Sequence, residues 1–125
     1  MNKGAYCLII KLDNDKDIKI NKRTQFFKKG YYCYVGSALN NLDKRIERHK
    51  SQEKKMHWHI DYFLKHANII DVKRFISDEK IECGLADKVN TISDDSIKGF
   101  GCSDCNCDSH LFLIKSKSYV TNIKI

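Results

Sequence analysis

Apolar and polar positions change period several times along the chain, and each change marks an element. Residues 5–12, Ala-Tyr-Cys-Leu-Ile-Ile-Lys-Leu, are nearly all apolar and read as a buried strand. Asp13-Asn14-Asp15-Lys16 is a turn signal. The alternating Asp17-Ile18-Lys19-Ile20 is then expected to pair back as a hairpin. Lys28-Lys29-Gly30 punctuates the chain before Tyr31-Tyr32-Cys33-Tyr34-Val35, a further strand that Gly36 is expected to end.

The period then becomes helical. Asn40 or Asn41 can cap a helix in which Leu42 and Ile46, four apart, form the apolar stripe. Arg45 and His49 are also four apart and share a neighbouring face. Residues 58–67 predict a second helix with Ile60, Phe63, Leu64 and Ala67 inward. Residues 71–76 predict a strand. Ser77-Asp78 is placed to cap a third helix carrying Glu82, Leu85, Ala86 and Val89. Loops follow at residues 94–96 and 98–101, and residues 111–114 and 119–125 predict closing strands. Strands, helices, strand, helix and strands in this order favour an α+β domain, a mainly antiparallel sheet flanked by helices, over alternating βαβ units. At 125 residues without proline, repeat or low-complexity tract, the chain is expected to form one domain over residues 1–125.

Charge adds a partner to this outline. Against 16 Asp and Glu stand 23 Lys and Arg, a net charge of +7, which favours a polyanion such as nucleic acid. No apolar run nears the roughly 20 residues of a membrane span, and residues 5–10 lack a signal-peptide layout. A soluble, cytoplasmic protein without a membrane partner is therefore expected. The six cysteines are then read as thiols or metal ligands rather than disulfides. Cys7, Cys33 and Cys83 lie within predicted elements and are expected to be small buried apolar residues.

Two tripeptides carry the chemistry, Gly4-Ala5-Tyr6 at the start of the first strand and Tyr34-Val35-Gly36 at the end of a later one. Tyr34-Val35-Gly36-Ser37-Ala38, Leu42 and Lys44-Arg45-Ile46-Glu47-Arg48-His49 extend the pattern. With these segments the chain resembles the GIY-YIG nuclease family. Further segments, Lys55-Met56-His57-Trp58-His59-Ile60-Asp61-Tyr62, Glu82-Cys83-Gly84-Leu85-Ala86 and the Gly99-Phe100-Gly101 to Leu111-Phe112 stretch, resemble a branch of it made of small, mostly prokaryotic proteins. Ala5 stands where the family name has Ile, a position expected to pack in the core or beside the site.

The resemblance implies a metal-dependent endonuclease that hydrolyses phosphodiester bonds, in DNA more than in RNA, in a repair or processing role. Glu82 would bind Mg²⁺ or Mn²⁺, for which one carboxylate plus waters and phosphate is usual. Arg45 would clamp the phosphate, its guanidinium fork matching two phosphate oxygens. Tyr6 would act as general base and Tyr34 would orient water or phosphate. A phenol ordinarily ionises near pH 10, so that base role needs assistance. His49, one turn after Arg45, could relay a proton. Ser37, Lys44, Arg48, His57 and His59 are the remaining expected nucleic-acid contacts, with at most one of His57 and His59 in the site because a two-residue helical spacing separates their faces. Tyr31 and Tyr32 are read as core tyrosines.

Cys102, Cys105, Cys107 and His110 offer four soft ligands within nine residues, a possible structural Zn²⁺ knuckle. A packed thiol loop and a nucleophilic Cys–His pair are the other readings. The alternatives to a nuclease are a non-catalytic nucleic-acid-binding module and a zinc-stabilised interaction domain. A separate protein could supply targeting, and the oligomeric state is not legible.

Overall fold

The computed structural model describes residues 3–20, 22–38, 40–51, 56, 58–97, 100 and 109–114. Along these the chain runs β1 (Gly4–Leu12), β2 (Lys16–Ile20), β3 (Arg23–Phe27), β4 (Gly30–Ala38), α1 (Leu42–Lys50), α2 (His59–Phe63), β5 (Asn68–Ile76), α3 (Glu82–Ile92), β6 (Asp95–Ser96) and β7 (Leu111–Ile114). Five strands form one sheet in the order β5-β1-β4-β7-β6, each antiparallel to its neighbour. The architecture is α+β, as the element order predicts. Among the described residues no helix is long and apolar enough to cross a membrane.

The strand period of two divides the sheet into unlike faces. Tyr6, Leu8, Ile10 and Leu12 of β1 and Tyr32 and Tyr34 of β4 point to one side, where Leu42, Ile46, Ile60 and Phe63 of α1 and α2 cover them. Ala5, Cys7, Ile9, Cys33 and Val35 point to the other, against Leu85, Ala86 and Val89 of α3. Both central strands are thus buried on both sides, so β1 reads as a nearly continuous apolar run.

Four local expectations are corrected. Strand β2 pairs with β3 in a separate two-stranded sheet and not with β1, because β4 and β5 occupy both hydrogen-bonding edges of β1. Gly36 does not end β4, which continues to Ala38, and Gly36 faces Tyr6 across the β1–β4 ladder. A Cβ there would run into the Tyr6 ring and hydroxyl, so the glycine makes room for the phenol. Helix α2 stops at Phe63 and tightens into a turn, with the His66 N–H on the Phe63 carbonyl at 3.0 Å, yet Leu64 and Ala67 are still buried. Ser77 does not cap α3: its hydroxyl accepts the Glu79 N–H at 3.1 Å, a local turn, and the helix begins at Glu82.

Cys7 and Cys33 are buried free thiols, as expected. Cys83 is instead exposed and disulfide-bonded. It lies off the Leu85, Ala86, Val89 stripe and therefore points away from the sheet. Residues 119–125, His57, Cys102, Cys105 and Cys107 lie outside the described residues.

Candidate active site

The antiparallel register sets Tyr6 opposite Gly36 and Leu8 opposite Tyr34, so both tyrosines stand on one face near the same end of the sheet. Helix α1 is started at that end by Asn41, whose side chain accepts the Lys44 N–H at 3.0 Å. The helix repeat then carries Leu42, Ile46 and His49 inward. His49 is only 3% exposed, and its Nε2 lies 2.6 Å from the Tyr6 hydroxyl. The Tyr34 ring meets the same imidazole edge-on at 6.0 Å between centroids. His49 thus connects the two tyrosines.

Arg45 lies one turn before His49 on the half-buried flank of α1. Its Nη1 donates to the Ser37 carbonyl at 3.0 Å, and its guanidinium carbon sits 4.6 Å from the Trp58 ring centre. Arg48 lies on the same indole at 4.3 Å. Arg48 also makes a two-pronged salt bridge to Asp61, 2.9 Å on each arm, and Asp61 is fully buried. Asp61 Oδ2 accepts the Trp58 backbone N–H as well, at 2.9 Å. The Arg48–Asp61 pair therefore holds the indole on which Arg45 lies.

Glu82 is the first residue of α3, on the opposite face of the sheet, and is half-buried. Its charge still reaches both tyrosines across the sheet end and disfavours their ionisation. Burial is the largest cause in each case and pushes both phenols well above the ordinary value. Arg45 opposes this at Tyr6 through its charge and a hydrogen bond. Both tyrosines are consequently neutral phenols at physiological pH.

Of the five expected catalytic side chains, Tyr6, Tyr34, Arg45 and His49 meet on one face of the sheet end, and Glu82, on the other face, reaches the two tyrosines through its charge. Of the expected nucleic-acid contacts, Lys44 is exposed on α1 and Ser37 is half-buried, with its carbonyl on Arg45. Arg48 is engaged by Asp61. His59 packs edge-on against Phe100 at 5.6 Å, and Phe100 in turn meets Tyr34 at 6.2 Å. His110 is buried, with Nδ1 3.1 Å from the Val35 carbonyl. The other three expected zinc ligands lie outside the described residues, among which no three His, Cys, Asp or Glu side chains gather. A single half-buried carboxylate suits a hard divalent ion, which takes one or two carboxylates and completes its shell with water and phosphate.

The motif includes Asp61 but the sequence assigns it no role. Thirteen residues separate it from Arg48, and no local spacing links them. Its remaining signal is a carboxylate among the apolar positions of α2, beside Ile60 and before Phe63.

No curated protein and no solved structure matches the chain. A family model described as "Domain of unknown function DUF123" matches residues 5–124, nearly the whole chain. With that coverage, the chain belongs to the DUF123 family.

Proposed function

We propose that this domain is a divalent-metal-dependent endonuclease acting on nucleic acid, DNA in preference to RNA. The observation that carries the reading is the 2.6 Å contact between the Tyr6 hydroxyl and His49 Nε2, with Arg45, Tyr34 and Glu82 around it. A buried tyrosine–imidazole contact beside an arginine suits proton removal from water next to a phosphate. The GIY-YIG resemblance of the motifs supports the same assignment.

In this reading Arg45 grips the phosphate, pre-aimed by the Ser37 carbonyl and the Trp58 ring. The guanidinium meets charge that grows on the phosphate oxygens as water attacks. Tyr6 is neutral, so it acts by relay. With His49 protonated on Nδ1, Nε2 accepts the Tyr6 proton while the phenol oxygen takes a proton from the attacking water. The new P–O bond forms as the bond to the leaving oxygen breaks, and the imidazole holds the extra proton. Tyr34, edge-on to His49, fixes the imidazole plane. Glu82 would hold Mg²⁺ or Mn²⁺, which when bound supplies Lewis-acid stabilisation of the leaving oxygen. A cytoplasmic setting and a separate targeting protein belong to the same proposal.

The test is cleavage of labelled duplex, branched and single-stranded DNA and RNA, with Mg²⁺ or Mn²⁺ against EDTA, by the wild type and Glu82→Ala. Metal-dependent cleavage that Glu82→Ala loses is the expected result. Binding without cleavage under either metal would replace the nuclease with a recognition module.

A further inference from the structure

The β2–β3 hairpin stands apart from the main sheet and carries most of the excess charge. Residues 16–29 hold six Lys and Arg and one acid, a net +5 in a chain of net +7. Opposed residues of an antiparallel pair share a face. Ile18, Ile20 and Phe27 turn inward, with Phe27 against Phe63 at 5.0 Å and Phe100 at 6.4 Å. Asp17 faces Phe26 and Lys19 faces Thr24 on the outer side, where all four side chains are exposed.

Phe26 is 55% exposed, the one exposed Phe, Trp or Tyr among the described residues. Lys19 is its diagonal neighbour, and Lys22, Lys28 and Lys29 are exposed at the two ends of the ribbon. The acids beside the hairpin base have partners: Asp15 accepts the Lys29 N–H at 2.7 Å, and Asp13 lies 3.9 Å from Lys11 Nζ. Phe27, beneath Phe26, contacts Tyr32, which is two residues or about 7 Å along β4 from Tyr34. The hairpin is therefore fixed to the same face of the sheet as the candidate active site.

From these observations we infer that the outer face of the β2–β3 hairpin docks an unpaired nucleic-acid strand, Phe26 stacking on a base while the surrounding lysines follow the phosphates. Cations alone would suit any polyanion. The exposed ring among them selects a partner with an accessible flat face, which bases in a duplex lack and unpaired bases present. The inference rests on the nucleic-acid reading above and deepens it: the substrate carries a single-stranded segment next to the bond to be cut. A rigid ribbon that contributes one aromatic adds little conformational cost on binding, since its strands are already paired.

The test is fluorescence anisotropy of a labelled single strand, a blunt duplex and anionic lipid vesicles, using the full chain with Glu82→Ala so that nothing is cut. Phe26→Ala should weaken single-strand binding roughly 5- to 150-fold, the range for one base–aromatic stack, and leave duplex binding within about twofold on that same reading. Its thermal midpoint should not move, because the ring is exposed. Lys19→Glu with Lys28→Glu should weaken both nucleic acids and lower the single-strand salt slope by about 1.4, at roughly 0.7 per lost contact. Single-strand binding unchanged in Phe26→Ala would overturn the inference even if the wild type cleaves. Binding to vesicles alone, or to nothing, would overturn it too. Phe26-dependent binding without metal-dependent cleavage would keep the hairpin site and remove the nuclease reading.

Discussion

The two faces of the sheet bury side chains of opposite character. Against α3 the packed residues are small or apolar: Ala5, Cys7, Ile9, Cys33, Val35, Leu85, Ala86 and Val89. Against α1 and α2 the protein also buries His49 and Asp61 and sets two tyrosines beside them. A buried polar group is costly unless it is satisfied, and a buried carboxylate more so. Asp61 is met by two arms of Arg48 and a backbone N–H, so its burial is compensated by design of the surrounding elements. Folding alone would be served by a second apolar face. Under the proposed function, the difference makes one face scaffold and gives the chemistry to the other, with Glu82 on the scaffold side acting through its charge.

The largest effect that separates the faces is on rate. Arg45→Ala should lower cleavage by about 10²- to 10³-fold, the usual cost of one transition-state donor, with the unfolding midpoint little changed because the residue lies on a half-buried flank. Single-turnover rates and thermal melts check the two halves of that statement. On the scaffold face, Ile9→Ala should cost about 2–5 kcal/mol by urea unfolding, since Ile9 is fully buried. The Ile9→Ala protein that remains folded should cleave normally.

Asp61→Asn crosses the division, because it touches both packing and the site. Loss of the buried charge partner should destabilise by about 3 kcal/mol, the low end for a broken buried pair, as the Arg48 side chain keeps 28% of its exposure. It should also slow cleavage, since Trp58 loses its anchor under Arg45. Restoring stability with Arg48→Met in the same chain, without restoring the rate, would separate the two roles.

The smallest effect is in alkaline solution. Burial holds the Tyr32 phenol up at about 12 and also raises Tyr6 and Tyr34. The unfolded chain releases these protons near pH 10, so above about pH 10 the folded state binds more protons and stability falls as pH rises. All three rings belong to the face that carries the candidate site. Urea midpoints across that range should drop, and Tyr32→Phe should flatten part of the decline.

The strands and helices that carry buried stripes were readable from the sequence. Residues 5–12 showed a strand closed in on both faces, and Leu42 with Ile46 showed the buried side of α1. What escaped was structure without an apolar pattern. Strand β3 buries only Phe27 of its five residues, so nothing marked Arg23 to Phe26 as a partner for β2. Gly36 looked like a terminator because its neighbour across the ladder, the Tyr6 ring, belongs to a distant segment. At the candidate site, the GIY-YIG resemblance named Tyr6, Tyr34, Arg45, His49 and Glu82 as expected catalytic residues. The Asp61 support for Trp58 was not named, because long-range ion pairs leave no periodic trace.

The measurement that bears most directly on this division is one cleavage assay, with Mg²⁺, run beside thermal melts on the wild type, Tyr6→Phe and Ile9→Ala. Tyr6→Phe removes a buried hydrogen bond to His49 and should cost about 1–3 kcal/mol of stability while losing about 10²- to 10⁴-fold in the rate of the folded protein, the range for a lost general base; Ile9→Ala should melt lower and cut at the wild-type rate when folded. Tyr6→Phe cutting as fast as the wild type would contradict the assignment of chemistry to this face.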